Sequence, residues 1–500
     1  MTAAAPTAAP ASAGGVRMGT PAARWVIAAT VLGSGIAFLD GTVVNVALPA
    51  IGRELHAGVA GLQWTLDSYL ITLTALMLVG GSLGDLFGRR RIFVAGLLGF
   101  GALSALSAAA PTVGVLVAAR AAQGVAGALL VPSSLSIISA TFAPEDRSRA
   151  VGAWSGLAGV SSAIGPFLGG WLVDIGSWRY VFLINVPLAA AAAALAQRHV
   201  PETREAGQRH IDVPGAFLAT LGLAAVCYSV IEGAQRFGPA QLIAGAIGVL
   251  ALAAFLVVEA RRREPMMPLG LFRSRQFSGA NLTTLAVYAG LGVMFFLLVL
   301  ELQIGMGYSA LAAGVSLLPV TVLMLALSAR FGALAQRIGP RLPMTVGPLI
   351  VAGGFLLMTR VHPGSHYATA VLPGLVVFGL GLSVTVAPLT AAVLAAVDEL
   401  HLGVGSAINN AVARLAGLLA VAVLPTVVHL STRTTATLTS GYRETMVIAA
   451  ALAAAGGLIA LATIRRSVTV APTTQAALGQ PCQCPAVVVG GPSGTSDAAA

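Results

Sequence analysis

One pattern constrains this chain more than any other. Apolar runs of about 20 residues, the length that crosses ~30 Å of hydrocarbon, follow one another from end to end and leave most of the charge to the short segments between them. Fourteen such runs are read, near 25–50, 62–83, 92–110, 113–140, 149–172, 178–197, 213–232, 240–260, 277–303, 310–330, 343–360, 370–397, 402–429 and 444–464. Charged residues make up 9% of the 500 and apolar ones 57%, whereas about a quarter of a soluble domain is charged. The predicted class is an all-α integral membrane protein.

All 28 basic residues are arginine, and their distribution sets the orientation. With the N-terminus inside, 20 fall on the cytoplasmic side, six outside (Arg53, Arg179, Arg236, Arg360, Arg433, Arg443) and two, Arg120 and Arg414, within helices. That asymmetry follows the positive-inside rule, and it predicts an even number of spans with both termini in the cytoplasm, in the inner or plasma membrane. Topology thus accounts for the net charge of +10, and nucleic acid is not an expected partner. Of the three cysteines, Cys227 reads as a small buried residue. Cys482 and Cys484 lie in a tail that this topology places in a reducing compartment, so no structural disulfide and no metal site is expected. Residues 1–23 lack the basic-then-apolar order of a cleaved signal, so the first run is read as an uncleaved span.

Within the first run stands an acid, Asp40, in the phrase LDGTVVNVALP. A carboxylate at mid-membrane costs about 2.5–3.5 kcal/mol even on the lenient insertion scale, which makes it a functional-site hypothesis by default. The structural alternative is a hydrogen bond to Thr42 or Asn45. A second acid, Asp67, lies beside Trp64 and Tyr69 near the start of the second run, where two readings stand: a cation-attracting group in a cavity, or a hydrated acid at the membrane interface. Arg120 and Gln123 fall in the fourth run, and a guanidinium there needs a cavity or a partner. Glu301, with Gln303, adds another acid near the end of the ninth run, facing either substrate and protons or the interface. Asn409 and Asn410, with Arg414, either line a cavity or bond between helices.

The segment GSLGDLFGRRR, residues 81–91, combines turn-forming Gly81 and Gly88 with Asp85, whose carboxylate suits a helix N-terminus or an arginine, and with three arginines suited to an anionic leaflet. In the fifth run Ser161, Gly165 and Gly169 recur four apart, a face for close helix contact, and Pro166 bends the helix by removing a hydrogen bond.

These phrases resemble the major facilitator superfamily. Gly81, Leu83, Asp85, Gly88, Arg89 and Arg90 match its G-x-L-x-D-x-x-G-R-R loop, although the basic residue usual after the acid is here Leu86. Arg120, Gln123 and Gly124 match R-x-x-Q-G, and Gly165, Pro166, Gly169 and Gly170 match the G-P-x-x-G-G phrase associated with antiporters. Asp40, Thr42, Asn45 and Pro49 in the first run, with Trp178, Arg179, Phe182, Asn185 and Pro187 in WRYVFLINVP, are similar to the fourteen-helix drug:proton antiporter branch.

The resemblance implies two six-helix bundles, 24–197 and 277–466, joined by a 198–276 linker that carries two inserted transmembrane helices, with disordered cytoplasmic ends at 1–23 and 467–500. It further implies a monomer that uses no cofactor and exports amphipathic drugs or antibiotics against a proton gradient, with membrane lipid around it. Asp40 would carry the proton, Arg120 would govern its release, and the 81–90 loop would act as a gate. Symport, export of an endogenous metabolite and a membrane-embedded enzyme are the rival functions. No G-x-x-x-x-G-K-[ST] loop or H-E-x-x-H is present, so neither nucleotide hydrolysis nor zinc hydrolysis is expected.

Overall fold

A computed structural model describes residues 15–465 except 205–211, 237, 263, 264, 266, 399–401, 431 and 433. Its helices fall into rods that alternate in direction. They are α1 Pro21–Glu54, α2 Val59–Phe87, α3 Arg89–Ala108, α4 Val113–Thr141, α5 Pro144–Ile175, α6 Tyr180–His199, α7 Val213–Gln235, α8 Pro239–Arg261, α9 Arg275–Gly305, α10 Ala310–Ile338, α11 Arg341–Met358, α12 Tyr367–Leu394, α13 Leu402–Val427 and α14 Thr435–Thr463. Among the described residues twelve helices are long and apolar enough to cross a membrane, or thirteen if α2, bent by 52° between Met77 and Val79, is one span. The apolar part of α5, Val160–Ile175, is shorter.

Two helix bundles result. In the first, α1 packs on α5 and α6, α4 on α2 and α3, and α3 on α6; in the second, α9 packs on α13 and α14, and α12 on α10 and α11. The α7–α8 hairpin packs on itself and, through α7, against α2 and α13. One face of the molecule carries the Gly88 turn between α2 and α3, and the opposite face carries the end of α1 at Glu54.

Proline explains where several rods meet. A proline has no N–H, so the carbonyl four residues before it loses its helical donor, and inside a membrane a neighbouring helix must compensate. Pro132 frees the Ala128 carbonyl at the break in α4, and Gly80 of α2 lies so close that a β-carbon there would sit 2.2 Å from that oxygen. Pro166 frees the Ser162 carbonyl in α5, and the Thr42 hydroxyl of α1 lies 3.0 Å from it, sharing its proton with Leu39 O of its own helix, also at 3.0 Å. Pro425 frees the Val421 carbonyl in α13, which accepts from Gln63 Nε2 of α2 at 2.6 Å.

Order begins earlier than the expected 24. Val16 N donates to Thr141 O (2.8 Å), Ala143 N to Val16 O (3.1 Å) and Met18 N to Asp146 Oδ2 (2.8 Å), so the strand-like strip before α1 is tied down by backbone bonds. Thr20 then caps α1. The tail from 467, with Cys482 and Cys484, lies outside the described residues, as do Arg209 and Arg433.

Candidate functional site

Asp40 sits near the middle of α1 and is fully buried inside the first bundle. Arg120 of α4 reaches it with Nη1 at 2.5 Å from Oδ2, while Oδ1 accepts from Gln123 Nε2 (3.2 Å) and from Asn185 Nδ2 of α6 (3.0 Å). Gln123 and Asn185 also donate to Ser104 Oγ of α3, at 2.8 and 2.9 Å. Arg120 is held in turn by Gln123 Oε1 (2.9 Å), by the Thr65 carbonyl (3.3 Å) and by the face of the Tyr69 ring, 4.2 Å from its centroid. Four helices therefore place polar groups around the one carboxylate on α1. A buried ion pair is tolerated only when its remaining donors and lone pairs are satisfied, and here nearly all are. The carboxylate thus faces a permanent cation inside the bundle.

Neither local partner of the structural alternative is used by Asp40. Thr42 turns to α5, and Asn45 Nδ2 donates to Gly41 O of its own helix at 3.2 Å. Asn185, a motif residue with no assigned part in the sequence reading, contacts the acid directly.

The other candidates separate. Asp67 is fully buried with no donor on either carboxylate oxygen, in a region where α2 meets Cys227 and Ile231 of α7 and Leu418 of α13. It is therefore neither hydrated at an interface nor open to a cavity in this conformation. Glu301 opens a single π-helical turn at the end of α9 and accepts from Thr439 Oγ1 of α14 at 2.7 Å, inside the second bundle. Its neighbour Gln303 crosses between the bundles, donating from Nε2 to Val46 O at 2.9 Å. Asn409 donates to Asn281 Oδ1 (3.2 Å) and Thr284 Oγ1 (2.7 Å) of α9, a bond within the second bundle, whereas Asn410 is exposed.

At the Gly88 turn, Asp85 pairs with Arg89 one helical turn on (2.7 Å). The N-terminus of α3 goes to a residue the sequence did not single out, Glu202, whose Oε1 accepts from Arg90 N at 3.1 Å and whose carboxylate lies within 4 Å of the Arg90 and Arg91 side chains. Anions favour a helix N-terminus because its first N–H groups are unpaired. Gly88 has φ 106°, and a β-carbon on it would lie 2.7 Å from Glu202 Oε1, so both backbone and contact require glycine.

On the Glu54 face, Trp178 Nε1 donates to Glu54 Oε2 at 2.6 Å, and Arg179 pairs with Glu54 Oε1 while stacking 4.4 Å over the Trp178 ring. Pro187 follows a break in α6 at Ile184, and Pro49 is buried within α1.

The G-P-x-x-G-G phrase proves to serve two faces. A β-carbon on Gly165 would fall 2.0 Å from Thr42 Oγ1 and one on Gly169 2.7 Å from Val43 O, which packs α5 on α1. Gly170 lies against Ala310 of α10, where a β-carbon would be 2.4 Å from its carbonyl oxygen, and Pro166 O lies against Gly314. Asp174 adds two bonds to backbone nitrogens of Ala310 and Leu311, at 3.1 and 2.9 Å. With Gln63–Val421 and Gln303–Val46, these contacts join the bundles in the half nearer the Glu54 face. Nearer the Gly88 face, β-carbons on Gly152 and Gly156 of α5 would meet nothing within 4 Å. Among the described residues no group of three or more His, Cys, Asp or Glu is placed to hold a metal ion.

The family model described as Major Facilitator Superfamily matches residues 30–421. The chain is 36% identical over 416 residues to the puromycin resistance protein pur8 of Streptomyces alboniger, covering 81% of this chain and 82% of that one. It is 34% identical over 417 residues to the methylenomycin A resistance protein of Bacillus subtilis, covering 81% and 88%. A probable actinorhodin transporter of Streptomyces coelicolor is 34% identical over 427 residues, 82% of this chain and 74% of that one. The fold is similar to that of a bacterial homologue of the human lysosomal transporter Spinster, with a TM-score of 0.64 at 16% identity over 89% of this chain and 98% of that one. These relatives are resistance and transport proteins, and none is named as an enzyme.

Proposed function

The chain belongs to the major facilitator superfamily, it moves small molecules across a membrane, and on that premise we propose that it is a proton-driven exporter of amphipathic drugs or antibiotics. The observation that carries the proton is the Asp40–Arg120 pair, completed by Gln123, Asn185 and Ser104 in the bundle interior. Its relatives' names, resistance to puromycin and to methylenomycin A, support export over uptake. Fourteen spans are proposed, the α7–α8 hairpin being inserted between two six-helix bundles and the Gly88 face lying in the cytoplasm with both termini. With that sidedness the contacts at Gln63, Gly170 and Gln303 close the outer half, and the space between bundles opens inward.

The cycle then follows from electrostatics. Substrate enters from the cytoplasm, the outer contacts part, and water reaches Asp40 from outside. A proton neutralises the carboxylate and loosens it from Arg120, and return to the inward state releases the proton inside. One charge through 100 mV is worth about 2.3 kcal/mol, so a total driving force of about 150 mV supplies roughly 3.5 kcal/mol, enough for an outward gradient of several hundredfold for a neutral molecule.

The test is proton release from the purified protein on adding a transported drug, beside a growth-inhibition panel in a pump-deficient host. Asp40→Asn is expected to bind drug and release no proton. Unchanged release in that variant would remove Asp40 from the mechanism.

A further inference from the structure

Arg414, midway along α13, has what Arg120 has not: freedom from any acid. It is half-buried, and among the described residues it has no ion pair and no hydrogen-bond acceptor. Its guanidinium carbon lies 5.6 Å from the centroid of the Phe38 ring on α1, so it points across from the second bundle toward the first. Phe38 stands two residues before Asp40, on a face of α1 that also carries Asn45 seven residues on. Between them Gly41 opens on space, since a β-carbon there would meet nothing within 4 Å. On α13, the exposed Asn410 lies one turn from Arg414 on the same face, toward the Gly88 side. The guanidinium therefore stands at the inner end of an opening between the bundles.

The acids elsewhere in the spans do not offset it. Asp40 is matched by Arg120, Glu301 is enclosed between α9 and α14, and Asp67 is sealed between α2, α7 and α13. Arginine keeps its charge in any surroundings, and a mid-membrane charge without a partner is a costly feature. Its planar fork of donors fits a carboxylate by two parallel hydrogen bonds, while the adjoining Phe38 ring offers an apolar surface.

Resting on the exporter reading above, we propose that Arg414 is the anchor for the cargo and that the cargo is an amphipathic organic anion, its carboxylate on Arg414 and its apolar body against Phe38. A cationic drug meets repulsion at the same point.

The experiment measures equilibrium binding to the full-length protein in detergent, with three fluorescent probes of one aryl scaffold: the carboxylate, its methyl ester and a trimethylammonium analogue. Charge-assisted hydrogen bonds that the ester cannot make predict binding of the carboxylate roughly tenfold tighter than the ester, with the ammonium weakest. Arg414→Gln should equalise carboxylate and ester, and Arg414→Lys should keep part of the preference, holding the charge without the fork. Equal binding of carboxylate and ester by wild type, no saturable binding of any probe, or an unchanged preference in a folded Arg414→Gln protein would each overturn the proposal. Asp40→Asn separates the two readings: it should retain the carboxylate preference, so proton-driven efflux surviving in that variant counts against the coupling site alone.

Discussion

Gly314 of α10 faces the Pro166 carbonyl of α5 so closely that a β-carbon on it would lie 2.1 Å from that oxygen. With Gly170 against Ala310, this makes a joint of backbone on backbone between two bundles that have to separate for cargo to leave. Packing of this kind depends on small residues. Gly314→Val should hold the joint apart and shift the protein toward the state open on the Glu54 face. Spin labels on Ala57→Cys and Val428→Cys, in a cysteine-free background, are expected to move apart relative to the same pair without the substitution. An unchanged distance would show that the joint does not hold that face shut.

The Asp40–Arg120 pair separates charge from stability. Removing one partner of a buried pair leaves an uncompensated charge and costs about 3–5 kcal/mol, whereas replacing both by apolar residues is often neutral. Asp40→Ala should therefore lower thermal stability in detergent sharply, and Asp40→Ala with Arg120→Met should recover much of the loss. Neither should move protons. Additive destabilisation in the double variant would show that the two residues are not coupled.

Thr42 serves the proline bend in α5. Thr42→Val keeps shape and removes the hydroxyl that reaches the Ser162 carbonyl freed by Pro166, and an unsatisfied buried acceptor costs about 1–3 kcal/mol. Thr42→Ser should restore most of that in the same unfolding measurement. A loss in Thr42→Ser with none in Thr42→Val would point to packing of the methyl group as the contribution of Thr42.

Gly88 and Glu202 should behave as one unit. Gly88→Ala meets two obstacles, a positive φ of 106° and the Glu202 carboxylate 2.7 Å from the new β-carbon. Glu202→Ala removes the second obstacle and also the anion at the α3 N-terminus, a contribution of about 0.3–1 kcal/mol. The double variant should thus be destabilised by less than the sum of the two single variants, read by thermal unfolding. Strict additivity would mean that the glycine is needed for its backbone angle alone.

What the amino-acid order settled by itself is whatever depends on local chemistry. Apolar run length set where the rods lie, with most ends within a few residues of those read; two ends differ more, α10 running on to Ile338 rather than 330 and α14 starting at Thr435 rather than 444, where Thr434 caps a polar first turn that hydropathy does not detect. Proline and glycine spacing marked the bend in α5 and the Gly88 turn, and Asp40 stood out because a charge in an apolar run has no local explanation. Only the tertiary structure decided partners. Arg120 and Asn185 lie 80 and 145 residues from Asp40, Glu202 lies 112 residues from the helix start it caps, and Gln63 finds a carbonyl 358 residues away. It also separated groups that sequence treats alike, giving Asn409 to its own bundle and Asn410 to the opening, and leaving Asp67 and Glu301 enclosed. The reason is physical. Hydrophobicity and backbone propensity act on each segment where it stands, whereas the direction in which a buried polar side chain is satisfied depends on which helix the fold brings beside it.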